Sequence, residues 1–389
     1  MPSASSRKDQ QDWDPRAPEV LADPITAYDH MRHQCPVAYS DYLHHSVFRH
    51  ADVLAILNDH ERFSSQASSH VSVPNSMDPP EHDAWRALID PYFSAARMAE
   101  FEPECQRICH GLVRALPRNG VIEAMFDLAH PFALRTQCAF MGWSEALHEP
   151  LLEWIYRKNA ATLSASRAQI AAVAMEFDDT IRGILQARRA LGDQAPDDVT
   201  GRLMGETIHG RPVTEDEIVS ILRNWTVGEL GTMASSVGII AHYLAGHPEL
   251  QDQLRQNPAL VRAANDEILR IHAPLIANRR TPTCPVQLGD RTIQAGERIT
   301  VIWASANRDE AVFGDPDEFR LDRDPALNLL YGAGIHACPG APLARLEIET
   351  MIQSLLAGTR AIERVPGHDA LPAVYPASGY RQAPLRLHH

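Results

Sequence analysis

The residues best suited to chemistry in this 389-residue chain lie in one glycine-rich loop, Tyr331-Gly332-Ala333-Gly334-Ile335-His336-Ala337-Cys338-Pro339-Gly340. A helix-forming run, Ala341-Pro342-Leu343-Ala344-Arg345-Leu346-Glu347, follows directly. The unpaired N–H groups at the start of such a helix hydrogen-bond a sulfur anion and lower the thiol pKa. The glycines accept positive φ and let backbone approach a flat ligand closely. Cys338 therefore reads as a metal-ligating thiolate; the alternative is a buried structural cysteine in a tight turn.

Other groups sit at helical spacings. Glu267 and Arg270 are i and i+3, so they share a helix face and can pair locally. His82 and Arg86 are i and i+4 and project together, a pair able to hold carboxylates by charge-assisted hydrogen bonds. In Gly228-Glu229-Leu230-Gly231-Thr232 an acid precedes a hydroxyl by one turn. Cys105 and Cys109 with His110 also have helical spacing, but two ligands without a second half point to core packing. The cations are almost all arginine, Lys8 and Lys158 being the only lysines.

Taken together and in this order, the motifs resemble the cytochrome P-450 family over nearly the whole chain. The cysteine loop matches FxxGxHxCxG at every spaced position but the first, where Tyr331 replaces phenylalanine, and Glu267-Ile268-Leu269-Arg270 matches ExxR. The resemblance implies haem b with Cys338 as its axial iron ligand. His82, Arg86, His336 and an arginine of Asn278-Arg279-Arg280 would hold the propionates. Counting back from the Gly289 turn favours Arg280, counting forward from Arg270 favours Arg279, and Arg280 is chosen. Arg323 would complete a structural trio with Glu267 and Arg270. Thr232 falls on the family's distal threonine, which helps deliver protons to activated oxygen. The family usually places Asp or Glu directly before it; here Gly231 stands there and Glu229 lies one turn earlier.

The implied reaction is insertion of one atom of O2 into a small, largely apolar organic substrate, by hydroxylation or oxidative O-dealkylation. With 51 residues after Cys338, electrons are expected from a separate ferredoxin- or flavodoxin-type donor with an NAD(P)H reductase, or the chain is the haem portion of a reductase fusion. A peroxide-driven peroxygenase is the rival, disfavoured by Thr232, and a haem-binding sensor is a more distant one.

The elements that must position these groups are mostly helical. Short strands are expected between Pro36 and Arg49, a helix over Ala51–Asp59 and a loop over Ser64–Asn75. Helices should run from Glu81 to about Arg188, broken at Pro91, Pro103, Pro117–Gly120 and Pro131. Thr214-Glu215-Asp216-Glu217 is a capping box opening a helix from Glu215 to Ala245, roughly 45 Å long. Asn257-Pro258 should open a helix to His272, hairpins follow around Gly289, and a last helix runs from Gly340 to about Leu356. The fold class implied is mainly α with small β-sheets, the P-450 helical prism with haem between the long helix and the cysteine-loop helix. Residues 1–389 form one such domain, 1–15 a flexible lead-in. Substrate walls are expected from Ser64–Asn75, Trp154–Val173, Trp225–Thr232, Pro274–Asn278 and the turn at Ser378-Gly379.

Hydrophobic residues make up 44% of the chain, enough for a substantial core. The formal charge of −14 argues against nucleic-acid or anionic-membrane partners. Six cysteines without a paired framework suit a reducing compartment. Met1–Pro15 lacks an apolar signal core, so a cytoplasmic, unanchored protein is expected.

Overall fold

The computed structural model describes residues 11–67, 72–164, 166–373, 375 and 377–389. The first ten residues of the expected lead-in and positions 68–71 of the expected Ser64–Asn75 loop lie outside them. The chain forms two compact units, each made from two stretches: Met1–Ser69 with Arg270–Ala337, and His70–Leu269 with Cys338–His389.

The first unit is built on a five-stranded sheet ordered Val37–Ser40, His44–Val47, Ile299–Ile302, Ala277–Pro282, Phe63–Ser64. His44–Val47 runs parallel to Ile299–Ile302, and the other neighbours are antiparallel. β-Branched side chains at Val37, Val47, Ile299 and Val301 pack with Phe63 and Trp303 against Val53, Ile56 and Leu57 of the helix His50–Asn58. The hairpin expected around Gly289 is present, with Val286–Leu288 paired to Arg291–Ile293.

The second unit is mainly helical, with a three-stranded sheet ordered Ala361–Arg364, Pro384–His388, Val121–Glu123. The helix Glu215–Ala245 has the expected bounds. Thr214 Oγ1 accepts the Glu217 N–H (3.3 Å) and the Glu217 carboxylate accepts the Thr214 N–H (2.8 Å), so two orphan donors are satisfied at once. Ile221, Leu222, Val237, Ile240, Ala241 and Leu244 of this helix are fully buried, and Gly246 and Pro248 end it. The cysteine helix spans Ala341–Gly358.

Three expectations are corrected. Pro103 does not break a helix; it lies inside Ala95–Ala115. The helix loses one backbone bond there, but Cys105, Ile108, Cys109, Leu112 and Val113 bury a continuous face beyond it, which outweighs the loss. Pro131 sits in the first turn of His130–Met141, where proline is tolerated, so it starts a helix. Asn257 makes no side-chain cap; a 3-10 turn, Pro258–Leu260, precedes the helix Val261–His272. No helix among the described residues is long and apolar enough to cross a membrane.

Because the capping box closes the start of the longest helix, Thr214→Ala should destabilise the protein by about 1 kcal/mol. Thr214→Asn should retain most of that stability, as read from thermal or denaturant midpoints.

Candidate active site

The Tyr331–Gly340 loop is shaped by left-handed glycines. Gly334 has φ +67°, and a Cβ there would stand 2.1 Å from the Leu57 carbonyl oxygen, so only glycine fits. Gly332 is also left-handed (φ +75°). The loop delivers Cys338 to the first turn of the cysteine helix, where the backbone N–H groups of Gly340 and Ala341 lie near its sulfur and the Ala341 N–H donates to the Cys338 carbonyl (3.3 Å). These donors, with Arg86 nearby, pull the thiol pKa down; burial outweighs them and the free thiol is raised. The lowering expected from the helix start is thus present but not dominant. A bond to a metal cation supplies what the thiolate still lacks. Phe93 lines the turn, 3.7 Å from where a Cβ at Gly340 would lie.

The expected carboxylate-binding cations fall in both units. In the unit holding Cys338, His82 and Arg86 project from the helix Glu81–Ile89. His82 is 2% exposed, with Nδ1 3.1 Å from an Asp83 oxygen, and Arg86 Nε donates to Asp90 Oδ1 (2.7 Å). In the other unit the two candidate arginines of the strand Ala277–Pro282 differ in exposure. Arg279 pairs with Thr300 and is exposed, while Arg280 pairs with Ile299 and is buried. Arg280 is the inward residue, its guanidinium donating to the Arg279 carbonyl (2.7 Å). His336 sits in the one-turn helix Gly334–His336 of that unit.

Arg270 and Arg323 converge as expected. Arg270 is 1% exposed and donates to the carbonyls of Asn307 (2.8 Å) and Pro316 (3.0 Å). Arg323 donates to the carbonyls of Phe313, Asp315 and Glu318. Both guanidinium groups lie over the Phe313 ring, Arg270 at 4.9 Å and Arg323 at 6.0 Å from its centroid. Glu267, 5% exposed, lies three residues before Arg270 on the same helix.

On the long helix, Thr232 and Glu229 part ways. The Thr232 hydroxyl donates to the Gly228 carbonyl (2.6 Å), not to Glu229. Glu229 turns to the cysteine helix and meets Glu347, a residue the sequence reading missed. Both carboxyls are buried, and among the described residues no donor reaches Glu229 Oε1 or either Glu347 oxygen. Thr136 lies beside Glu347, but its hydroxyl donates to the Phe132 carbonyl (3.0 Å). Two carboxylates cannot both stay ionised in such a place. Burial raises both, and Glu229 pushes Glu347 up further, which favours the protonated form of Glu347. Cys105, next to Cys109 (Sγ–Sγ 4.0 Å), borders this pair. The turn at Ser378-Gly379 is tied to the same helix by the Ser235 hydroxyl, which donates to the Ser378 carbonyl (2.8 Å).

This donor set fits haem: a sulfur ligand at a helix start for iron, and on a neighbouring helix in the same unit a His/Arg pair for carboxylates. The resemblance named these residues, but nothing local in the sequence pointed to Glu347, whose partner is distant along the chain.

The raised carboxyl has a signature in stability. A carboxyl whose pKa is raised on folding binds its proton more tightly folded than unfolded. Its contribution is full below the unfolded glutamate value, about 4.3, and is lost as pH rises through the raised folded values. The melting temperature of the parent should therefore fall, as pH rises above the unfolded glutamate value, more than that of Glu347→Gln. Equal pH slopes for the two proteins would contradict the pairing.

A family profile described as Cytochrome P450 matches residues 121–358, more than half of the chain. Cytochrome P450 109 of Bacillus spizizenii is 29% identical over 377 residues, covering 94% of this chain and 92% of its own length. Linalool 8-monooxygenase of Pseudomonas putida is 28% identical over 313 residues, 79% of this chain and 76% of that protein. The solved structure of cytochrome P450 CYP109Q5 from Chondromyces apiculatus superposes with a TM-score of 0.84 at 28% identity, covering 96% of this chain and 97% of that one. With Cys338 at the start of the cysteine helix and the threonine-bearing long helix in the same unit, the chain belongs to the cytochrome P450 family, as a haem-dependent monooxygenase.

Proposed function

We propose that this enzyme inserts one oxygen atom from O2 into a small, largely apolar organic substrate, by hydroxylation or oxidative O-dealkylation. Electrons come from a separate ferredoxin- or flavodoxin-type donor served by an NAD(P)H reductase, and residues 1–389 act as one catalytic domain. The observation that carries this reading is Cys338, its sulfur near the Gly340 and Ala341 N–H groups at the start of the cysteine helix. Haem, when bound, supplies the reduction and cleavage of O2, favoured by electron density from a thiolate ligand. The name of one relative, linalool 8-monooxygenase, points to the same class of reaction.

The protein's own residues provide the rest. Cys338 holds the iron. His82, Arg86, Arg280 and His336 neutralise the propionates, whose burial would otherwise be costly. Glu267, Arg270 and Arg323 keep the segment before the cysteine loop in place, the two arginines through carbonyls that would otherwise be unsatisfied. The Thr232 hydroxyl, parked on the Gly228 carbonyl, rotates to pass a proton at the oxygen side. Glu229 resupplies it through water from a carboxyl whose pKa burial raises. Trp225, edge-on to Phe93 at 5.1 Å between ring centroids, gives this end of the long helix an apolar wall suited to hydrocarbon.

Two experiments test the reading. The reduced, carbon-monoxide-treated protein should show the thiolate-specific band after which the family is named, and Cys338→Ala should fold without it. A band that survives the substitution would remove Cys338 as the ligand. Thr232→Ala should still bind substrate and consume reductant but release peroxide. Product per reductant should fall at least about a hundredfold, the low side of what a positioned proton donor contributes. Unchanged coupling, or turnover with peroxide alone in the parent, would favour a peroxygenase.

A further inference from the structure

Lys158 is the lone lysine of the described residues, and it occupies an unusual place. It projects from the helix His148–Ser164 toward the long helix, where its Nζ stands 4.0 Å from the position a Cβ would take at Gly231. Gly228 and Gly231 leave that stretch of backbone exposed, directly before Thr232. The side chain is half-buried. Among the described residues no hydrogen bond or ion pair reaches its ammonium, and the burial it has lowers its pKa. An ammonium drawn partly out of water with no anion beside it loses hydration without compensation, so an anion arriving there is favoured.

The surroundings are short of acceptors. His130 lies close enough for the two cations to repel, and its buried Nδ1 has no partner among the described residues. Burial, and then Lys158, push that imidazole down to about 4, so it is neutral at physiological pH. Phe126 and Tyr156 close around it at ring-centroid distances of 6.0 and 6.2 Å. The acids near Tyr156 are already engaged: Glu123 accepts the N–H groups of Phe126 and Ala383, and Asp127 accepts the Glu123 N–H. The site therefore presents a cation beside apolar rings and a bare glycine backbone, next to the threonine of the oxygen side.

We infer that Lys158 is an anchor for a carboxylate on the substrate, so that the preferred substrates are apolar carboxylic acids whose chain runs from Gly231 past Thr232. The neutral His130 donates the second hydrogen bond to the same carboxylate. This inference rests on the monooxygenase reading above, and the carbon monoxide band separates the two: a protein that shows the band can still fail the following test.

The test uses haem-loaded protein and a series of straight-chain fatty acids, each with its methyl ester. Binding is followed by the Soret shift and by quenching of tryptophan fluorescence. In the parent, the best acid should bind about thirtyfold or more tightly than its ester, the ratio expected when a buried charge pair loses one partner. Lys158→Met should abolish that preference with ester binding unchanged, and Lys158→Arg should keep most of it. Gly231→Asp should also abolish it, because the new carboxylate would occupy the ammonium from within. Equal binding of acids and esters throughout the series, or a preference that survives Lys158→Met, would overturn the assignment. So would acetate binding as tightly as the longer acids, since the site would then hold a small free anion rather than a substrate.

Discussion

A sulfur anion survives inside a protein only where donors converge on it, and here the groups near the sulfur are the first backbone N–H groups of the cysteine helix. Everything near the site is arranged so that this helix can begin where it does. Gly334 packs its bare α-carbon against the Leu57 carbonyl, which leaves no room for a side chain and forces the loop to turn. Gly340 then keeps the sulfur and Phe93 within van der Waals distance of the backbone. The pull of these groups on the thiol is opposed by the packing around the sulfur, while the residue itself stays open to solvent.

Charge is handled in two different ways in the two units. The segment Arg270–Ala337 uses arginines on backbone carbonyls, with Arg270 and Arg323 sandwiching Phe313. An irregular segment has many carbonyls without a ladder partner, and planar guanidinium groups satisfy several at once. In the second unit the long helix carries acids and a hydroxyl inward instead. Glu229 and Glu347 meet without a cation to balance them, so a proton, not an ion pair, keeps the contact between these helices neutral. The lysine that might have balanced an acid stands across from Gly231, where the chain supplies none.

Much of this was legible in the sequence, and what was not has identifiable causes. The cysteine loop, the long helix and its capping box are local patterns, written in contiguous residues. The difference in exposure between Arg279 and Arg280 was not local: it depends on which residue pairs with Ile299 across the sheet. Pro103 misled because a break signal counts only the lost backbone bond, whereas the buried face beyond it decides the outcome. Glu229 was read as a neighbour of Thr232 from helical spacing, yet the threonine proton goes to Gly228 and the acid turns to Glu347. Spacing of i and i+3 brings two side chains to one face; it does not say which of them will prefer a third partner.

The five-stranded sheet has a consequence for how the chain is born. His44–Val47 finds its parallel neighbour in Ile299–Ile302, so two strands separated by about 250 residues must meet. On a ribosome adding about 5–20 residues each second, the first hairpin waits on the order of tens of seconds before that edge exists. During the wait, Val37 and Val47, which the finished sheet buries completely or nearly so, belong to a strand pair open on one side. Two strands alone are marginal in water, so this stretch stays in exchange with the unfolded chain while the helices between are made. The order of assembly is thereby inverted relative to the order of synthesis: the amino-terminal strands are made first and secured last.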